Sequence, residues 1–263
     1  VKVFGQEING LTSSIARMTL YLNGVEDFSI ACGDTLRNPA FTDGSKLRTF
    51  DMVLANPPYS IKEWDRASFE HDKWGRNFLG TPPQARADYA FFQHILASMN
   101  EQTGRCAILF PHGVLNRRDE RSMRKKLIEL DLVETVIGVG EHLFYNSAME
   151  ACVVICKYNK KHPGFVKFID AKTLVTRNNT ESFITPKQLE KILEMYHNDE
   201  IVEHFSNIVS IEDIQKNEDS LYISKYVVSE LDTTMYDVDK HFREWSSDSA
   251  NLNLALCDFS KCI

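Results

Sequence analysis

Over its first 160 residues the chain alternates short apolar runs with segments whose apolar side chains recur every three or four positions, and this alternation restricts the fold more than any other feature. Val1–Phe4, Phe28–Cys32, Phe50–Ala55, Cys106–Phe110, Val133–Val139 and Ala151–Tyr158 read as strands. Between them, residues 9–22 place Leu11, Ile15, Met18 and Leu22 on one helical face. A second helix, over 89–100, can be capped by Asp88, and a charged helix runs over 119–130. Strands alternating with helices over short connections predict an α/β protein with a parallel, doubly wound sheet. Ligands bind such sheets beyond the carboxyl ends of the strands. Three strands end there in a polar signal, at Glu7, Asp34 and Asn56.

The pattern changes after about residue 160, which predicts a sheet domain over 1–170 and a mostly helical region over 171–263. Thr185 and Pro186 start a helix whose apolar face carries Leu189, Ile192, Leu193 and Tyr196, and short helical pieces are expected near 199–206 and 211–216. Hydrophobic residues make up 43% and charged residues 25% of the chain, which argues against a disordered or collagenous protein. No apolar run reaches the roughly 20 residues that a membrane helix requires. Cys106, Cys152 and Cys156 lie in apolar runs, read as small buried hydrophobes, and no ligand spacing predicts a metal site. The net charge of −7 disfavours an autonomous DNA clamp but not a DNA enzyme positioned by a partner. Val1–Phe4 reads as the middle of a strand, so the chain is expected to be the later part of something longer.

Asn56-Pro57-Pro58-Tyr59 follows the strand that begins at Phe50-Asp51. Paired prolines stop the ladder and stiffen the turn, so the Asn56 side chain and an adjacent carbonyl are held in place. That arrangement suits chemistry on an exocyclic amino group, whose lone pair is delocalised into its ring. Acceptors on both amino hydrogens, the Asn56 oxygen and the Pro57 carbonyl, draw the nitrogen toward tetrahedral geometry and raise its reactivity. Tyr59 is placed to stack on a base taken out of the duplex.

The tetrapeptide resembles the (D/N/S)PP(Y/F) motif of the amino-group DNA methyltransferases. Together with GQEIN at 5–9, GDTL at 33–36, FDMVLANPPYS at 50–60, DYAFFQHILASM at 88–99 and HLFYNSAMEACVVICK at 142–157, the chain is similar to the modification subunit of type I restriction-modification systems. The resemblance spans about 1–230. It implies a Rossmann-like sheet binding S-adenosylmethionine, with a helical C-terminal appendage, and transfer of a methyl group to adenine N6. Glu7 is then expected on the cofactor's ribose and Asp34, with Thr35 beside it, on its adenine, while Asn56 lies against cofactor and target base alike. Asn56, Pro57, Pro58 and Tyr59 form the catalytic motif, and Phe144 stacks on the target base. The implied partners are DNA, a specificity subunit, a second modification subunit and a restriction subunit, in the cytoplasm. The family's glycine-rich first motif, and the strand that leads into it, are not found in this chain. Residues 138–150 also depart from the family's proline-rich version, carrying Glu141 and Glu150.

Two other readings stand beside this one. The same motif serves cytosine N4 and protein glutamine, and a non-catalytic fragment could dock a specificity subunit. The appendage offers Leu189, Ile192, Leu193, Ile201 and Phe205 as its docking surface. Pro111-His112-Gly113 has no nucleophile at elbow spacing, so His112 is read as positioning a loop. The basic run Arg117, Arg118, Arg121, Arg124, Lys125 and Lys126 reads as a solvated helix face. In the long loop, Lys62, Arg66, Lys73, Arg76 and Arg86 interleave with Trp64 and Trp74, a pattern suited to a nucleic-acid contact that orders on binding.

Overall fold

The computed structural model describes residues 1–143, 149–178 and 181–228. Strands β1 (Val3–Glu7) and β2 (Phe28–Cys32) pair in parallel, Val3 opposite Phe28 and Glu7 opposite Cys32, and helix α1 (Gly10–Leu22) connects them. The Asn9 side chain caps α1 by accepting from the Leu11 and Thr12 amides. A short ribbon, β3 (Thr42–Asp43) and β4 (Lys46–Leu47), leads to β5 (Met52–Ala55). Then follow α2 (Arg66–Glu70), α3 (Asp88–Ala97), β6 (Arg105–Pro111), α4 (Arg121–Glu129), β7 (Val133–Val139), β8 (Ala151–Lys157) and β9 (Phe165–Ala171). The hairpin β10 (Thr176–Asn178) and β11 (Glu181–Phe183), helix α5 (Pro186–His197), β12 (Ser206–Ser210) and α6 (Ile211–Lys216) complete the described chain.

Six of these strands form one sheet in the order β12-β9-β7-β8-β6-β5, while β1 and β2 form a separate pair. β5 with β6 and β7 with β9 are parallel. β8 runs antiparallel to β6 and β7, and β12 antiparallel to β9, so the sheet is mixed and not parallel throughout as the alternation predicts. No crossover helix lies between β7 and β8 among the described residues, and a direct return reverses strand direction.

Successive side chains of a strand point to opposite faces, and here both faces are covered. Val136 and Phe168 face one core with Phe92, Leu96, Phe110, Leu127, Val154 and Ile214, which brings α3, α4 and α6 onto that side. Ile137 and Ile169 face the other, against Ile192 and Met195 of α5. Each large apolar side chain fully buried here stabilises the fold by roughly 1.5–3 kcal/mol before entropy is counted. Cys106, Cys152 and Cys156 are all buried, as small hydrophobes in such strands should be.

Three expectations need correction. Residue 170 does not end the sheet, because β12 beyond it pairs with β9 from Ser206 opposite Ile169 to Ser210 opposite Phe165. The appendage is therefore helical only in part, and the segment expected to be helical near 199–206 instead turns at His204, φ +64°, and enters β12. The predicted core face of α1 is exposed: Leu11, Ile15, Met18 and Leu22 face outward, while Ser13 is buried. Residues 229–263, the rest of the expected C-terminal region, lie outside the described residues, as does Phe144.

Candidate active site at the carboxyl ends of the strands

Each sequence-predicted polar residue stands where its strand ends. Glu7 closes β1, Asp34 follows β2 by two residues, and Asn56 follows β5. Parallel pairing of β1 and β2 puts Glu7 beside Cys32 and sets the first two carboxylates at one end of the pair. Glu7 Oε1 accepts from the Asn9 amide at 2.8 Å. Asp34 Oδ1 accepts from the Leu36 and Arg37 amides at 2.9 and 3.1 Å. Each carboxylate thus orders its own turn with one oxygen, and the second oxygen makes no hydrogen bond among the described residues. Two half-buried carboxylates with a free acceptor each, on adjacent strand ends, fit the hydroxyls and amino group of a nucleoside.

The two sheets are held together by side chains. Phe4 of β1 packs on Phe41 at 5.2 Å and on Phe50 at 5.3 Å between ring centroids, which joins β1 to the approach of β5. Gln6 donates to the Asn38 carbonyl at 3.0 Å and accepts from the Ala40 amide at 2.9 Å. The Asp34–Leu36 turn is clamped by Arg76, which is 1% exposed and donates to the Thr35 carbonyl at 3.0 Å and the Leu36 carbonyl at 2.7 Å. Thr35, predicted at the cofactor, offers its carbonyl to this clamp. Asp72 holds Arg76 through paired contacts of 2.6 and 3.0 Å. Burial pushes the Asp72 carboxyl up, but the Arg76 hydrogen bonds and charge outweigh it and leave the pKa below its ordinary value. Beside them, burial and then the Arg76 charge push His94 down to about 3, so the ring is neutral.

Arg76 was therefore misread as a nucleic-acid contact. The loop at 62–86 is ordered around α2, with Trp64 packed on Phe69 and donating to the Gln84 carbonyl at 3.1 Å, and Arg66 donating to the Pro82 carbonyl at 2.9 Å. Lys62 and Lys73 remain exposed on it. An Asp and an Arg four residues apart, Asp72 and Arg76, were the available sign of an internal pair. The basic run divides in the same way. Arg124 is buried and donates to the Asp219 carbonyl at 2.6 Å, and Arg121 pairs with Asp219 at 3.1 Å, while Arg118, Lys125 and Lys126 face solvent.

In the Asn56-Pro57-Pro58-Tyr59 turn, Asn56 and Pro58 are exposed, Pro57 is buried and Tyr59 is half-buried. The Asn56 amide makes no hydrogen bond among the described residues, and the Tyr59 hydroxyl is buried without a partner. Burial, and then electrostatic coupling to Cys152 and Asp88, push the Tyr59 hydroxyl up to about 12 and keep it neutral. The hydroxyl is thus buried while the residue as a whole is only half-buried. Ser60, next in sequence, donates its amide to Asp88 Oδ1 at 2.8 Å. Asp88 lies in the first turn of α3 and does not cap it, because its carboxylate is turned across to this loop. His112 Nε2 donates to the Ala151 carbonyl at 2.9 Å. Burial, followed by the Lys172 charge, lowers its pKa, so it is a neutral ring fixed to the backbone.

The profile of the N-6 DNA Methylase family matches residues 1–234, covering the split sheet, both carboxylates and the proline turn. The chain belongs to this family. Among curated relatives, the type I restriction enzyme MjaVII methylase subunit of Methanocaldococcus jannaschii is 30% identical over 260 residues, 93% of this chain and 44% of the relative. The HindI methylase subunit of Haemophilus influenzae is 29% identical over 238 residues, 86% of this chain and 52% of its own. The crystal structure of the type I restriction-modification methyltransferase subunit from Streptococcus thermophilus superposes with a TM-score of 0.80 at 35% identity, covering 86% of this chain and 48% of that one. This N-6 DNA Methylase chain spans about half the length of the relatives it matches.

Proposed function

We propose that this chain is part of the modification subunit of a type I restriction-modification system, transferring a methyl group from S-adenosylmethionine to adenine N6 in DNA. The observation that carries the reading is the proline turn at the end of β5, which holds an exposed, unengaged Asn56 amide beside a half-buried Tyr59 in a chain of the N-6 DNA Methylase family. Glu7, Asp34 and the turn at Thr35 fit the nucleoside part of the cofactor, by the free carboxylate oxygens described above. The cofactor supplies an electrophilic methyl on a sulfonium. The chain supplies position: the Asn56 oxygen and the Pro57 carbonyl accept the two amino hydrogens, and Tyr59 stacks on the extruded base. Removing one positioned acceptor costs roughly 100-fold or more in rate. Asn56→Ala in the full-length subunit is expected to lose methylation to at least that extent while still binding cofactor, read by tritium transfer and calorimetry. Transfer at the normal rate would refute the assignment.

The proposed partners are DNA, a specificity subunit, a second modification subunit and a restriction subunit, in the cytoplasm. No helix among the described residues is long and apolar enough to cross a membrane. The exposed part of the docking surface is Leu189, Leu193 and Ile201, whereas Ile192 and Phe205 pack against the sheet.

A further inference from the structure

The turn that presents Asn56 is tied to the body of the protein by buried charge. Ser60 has a left-handed backbone, φ +51°, which a residue with a side chain keeps only where its surroundings hold it. The holding group is Asp88, 1% exposed, which accepts from the Ser60 amide at 2.8 Å and faces the Ser60 hydroxyl at 3.4 Å. Arg117 donates to the same carboxylate at 2.6 Å, and its other terminal nitrogen lies 3.5 Å from the Ser60 hydroxyl. Glu120, wholly buried, lies 3.4 Å from the same terminal nitrogen of Arg117. Arg117 is itself fixed: its guanidinium occupies the space over Gly113, where a Cβ would fall 2.5 Å from Nε, and Arg124 donates to its backbone carbonyl at 3.1 Å.

Asp88 and Arg117 come from two separate stretches of chain and converge on the residue that follows the motif. Short charge-assisted hydrogen bonds away from water do not reorganise as the substrate changes shape. We infer that Asp88 and Arg117 are positioning residues for methyl transfer, holding the Asn56–Tyr59 turn in its productive orientation through Ser60 without touching the reacting atoms. The inference rests on the reaction proposed above. It explains why Asp88 opens a helix that it does not cap. It also explains why Arg117, in a strongly basic stretch, is turned inward.

The test is Asp88→Asn in the complete subunit assembled with its partners, with Asn56→Ala measured alongside. A displaced turn is expected to lower the single-turnover rate about 100-fold, since misplacing reacting groups by about 1 Å has effects of that size. Cofactor affinity and DNA affinity of the folded variant should stay close to the parent values, while the melting temperature falls because a buried ion pair is broken. Arg117→Lys, which keeps the charge but not the fork, should transfer faster than Arg117→Met, and it supplies the same comparison where Asp88→Asn does not fold. Parent rates in Asp88→Asn, or rate and affinities falling together in the folded variants, overturn the positioning role. If Asn56→Ala also transfers at the parent rate, the proposed reaction site falls. An inactive Asn56→Ala beside a fully active Asp88→Asn removes the positioning role alone.

Discussion

Glu120 is buried beside Arg117, and burial pushes its carboxyl up to about 7 although the Arg117 charge pulls it back. Between its ordinary carboxylate value and about 7, folded Glu120 keeps a proton that the unfolded chain has released. Folding stability therefore falls as the pH rises through that window. Glu120→Gln cannot ionise, so its stability relative to the parent should improve between pH 5 and pH 8 by on the order of 2 kcal/mol. Thermal melts at both pH values check this, and an unchanged difference would show that Glu120 is ionised throughout. Gly113→Ala puts a methyl group into the Arg117 guanidinium and should cost about 1–3 kcal/mol in the same melts. Asn56 and its prolines were legible in the sequence because their arrangement is local, one strand end and the next four residues. Asp88 was not, because its partner Ser60 is 28 residues away and an acidic residue before a helix reads first as a cap.

The strands and helices over 1–160 are largely those that periodicity predicts, since each buries a face whose repeat is written in its own residues. β12 was missed because only Ile208 and Val209 of its five residues, Ser206–Ser210, are apolar, and its pairing comes only from β9. This changes how the docking surface is tested. Deleting everything from residue 186 would remove β12 from the sheet and Ile192 and Met195 from the core, so the truncated protein should not fold. The double variant Leu189→Ser, Leu193→Ser alters only exposed positions of α5 and should keep the melting temperature while weakening assembly with the specificity subunit. Size-exclusion chromatography of the mixed subunits decides it, and an intact complex argues that α5 is not the contact. The loop around α2 calls for a different experiment. Arg76→Met leaves the Thr35 and Leu36 carbonyls without their donor and Asp72 without its partner, and should weaken cofactor binding about 10-fold or more by calorimetry.

Across the whole molecule, α1 leaves Leu11, Ile15, Met18 and Leu22 exposed, and the edge strand β5 leaves Met52 and Leu54 exposed. The helical period of α1 was legible, but not which of its faces would be covered, because covering depends on what packs against it. The division of the sheet also sets two time scales for opening. A pair of strands is marginal by itself, and β1 and β2 are kept in place by one aromatic cluster, the Gln6 bonds and the Arg76 clamp. The six-stranded sheet has covered faces on both sides. Amide protons of Gly5, Gln6 and Glu7 should therefore exchange with deuterium well before those of Ile108, Val136 and Val154, and added cofactor should slow only the first group. The β1–β2 edge, proposed above to hold the nucleoside, can then open by local unfastening with the turn that carries Asn56 still standing.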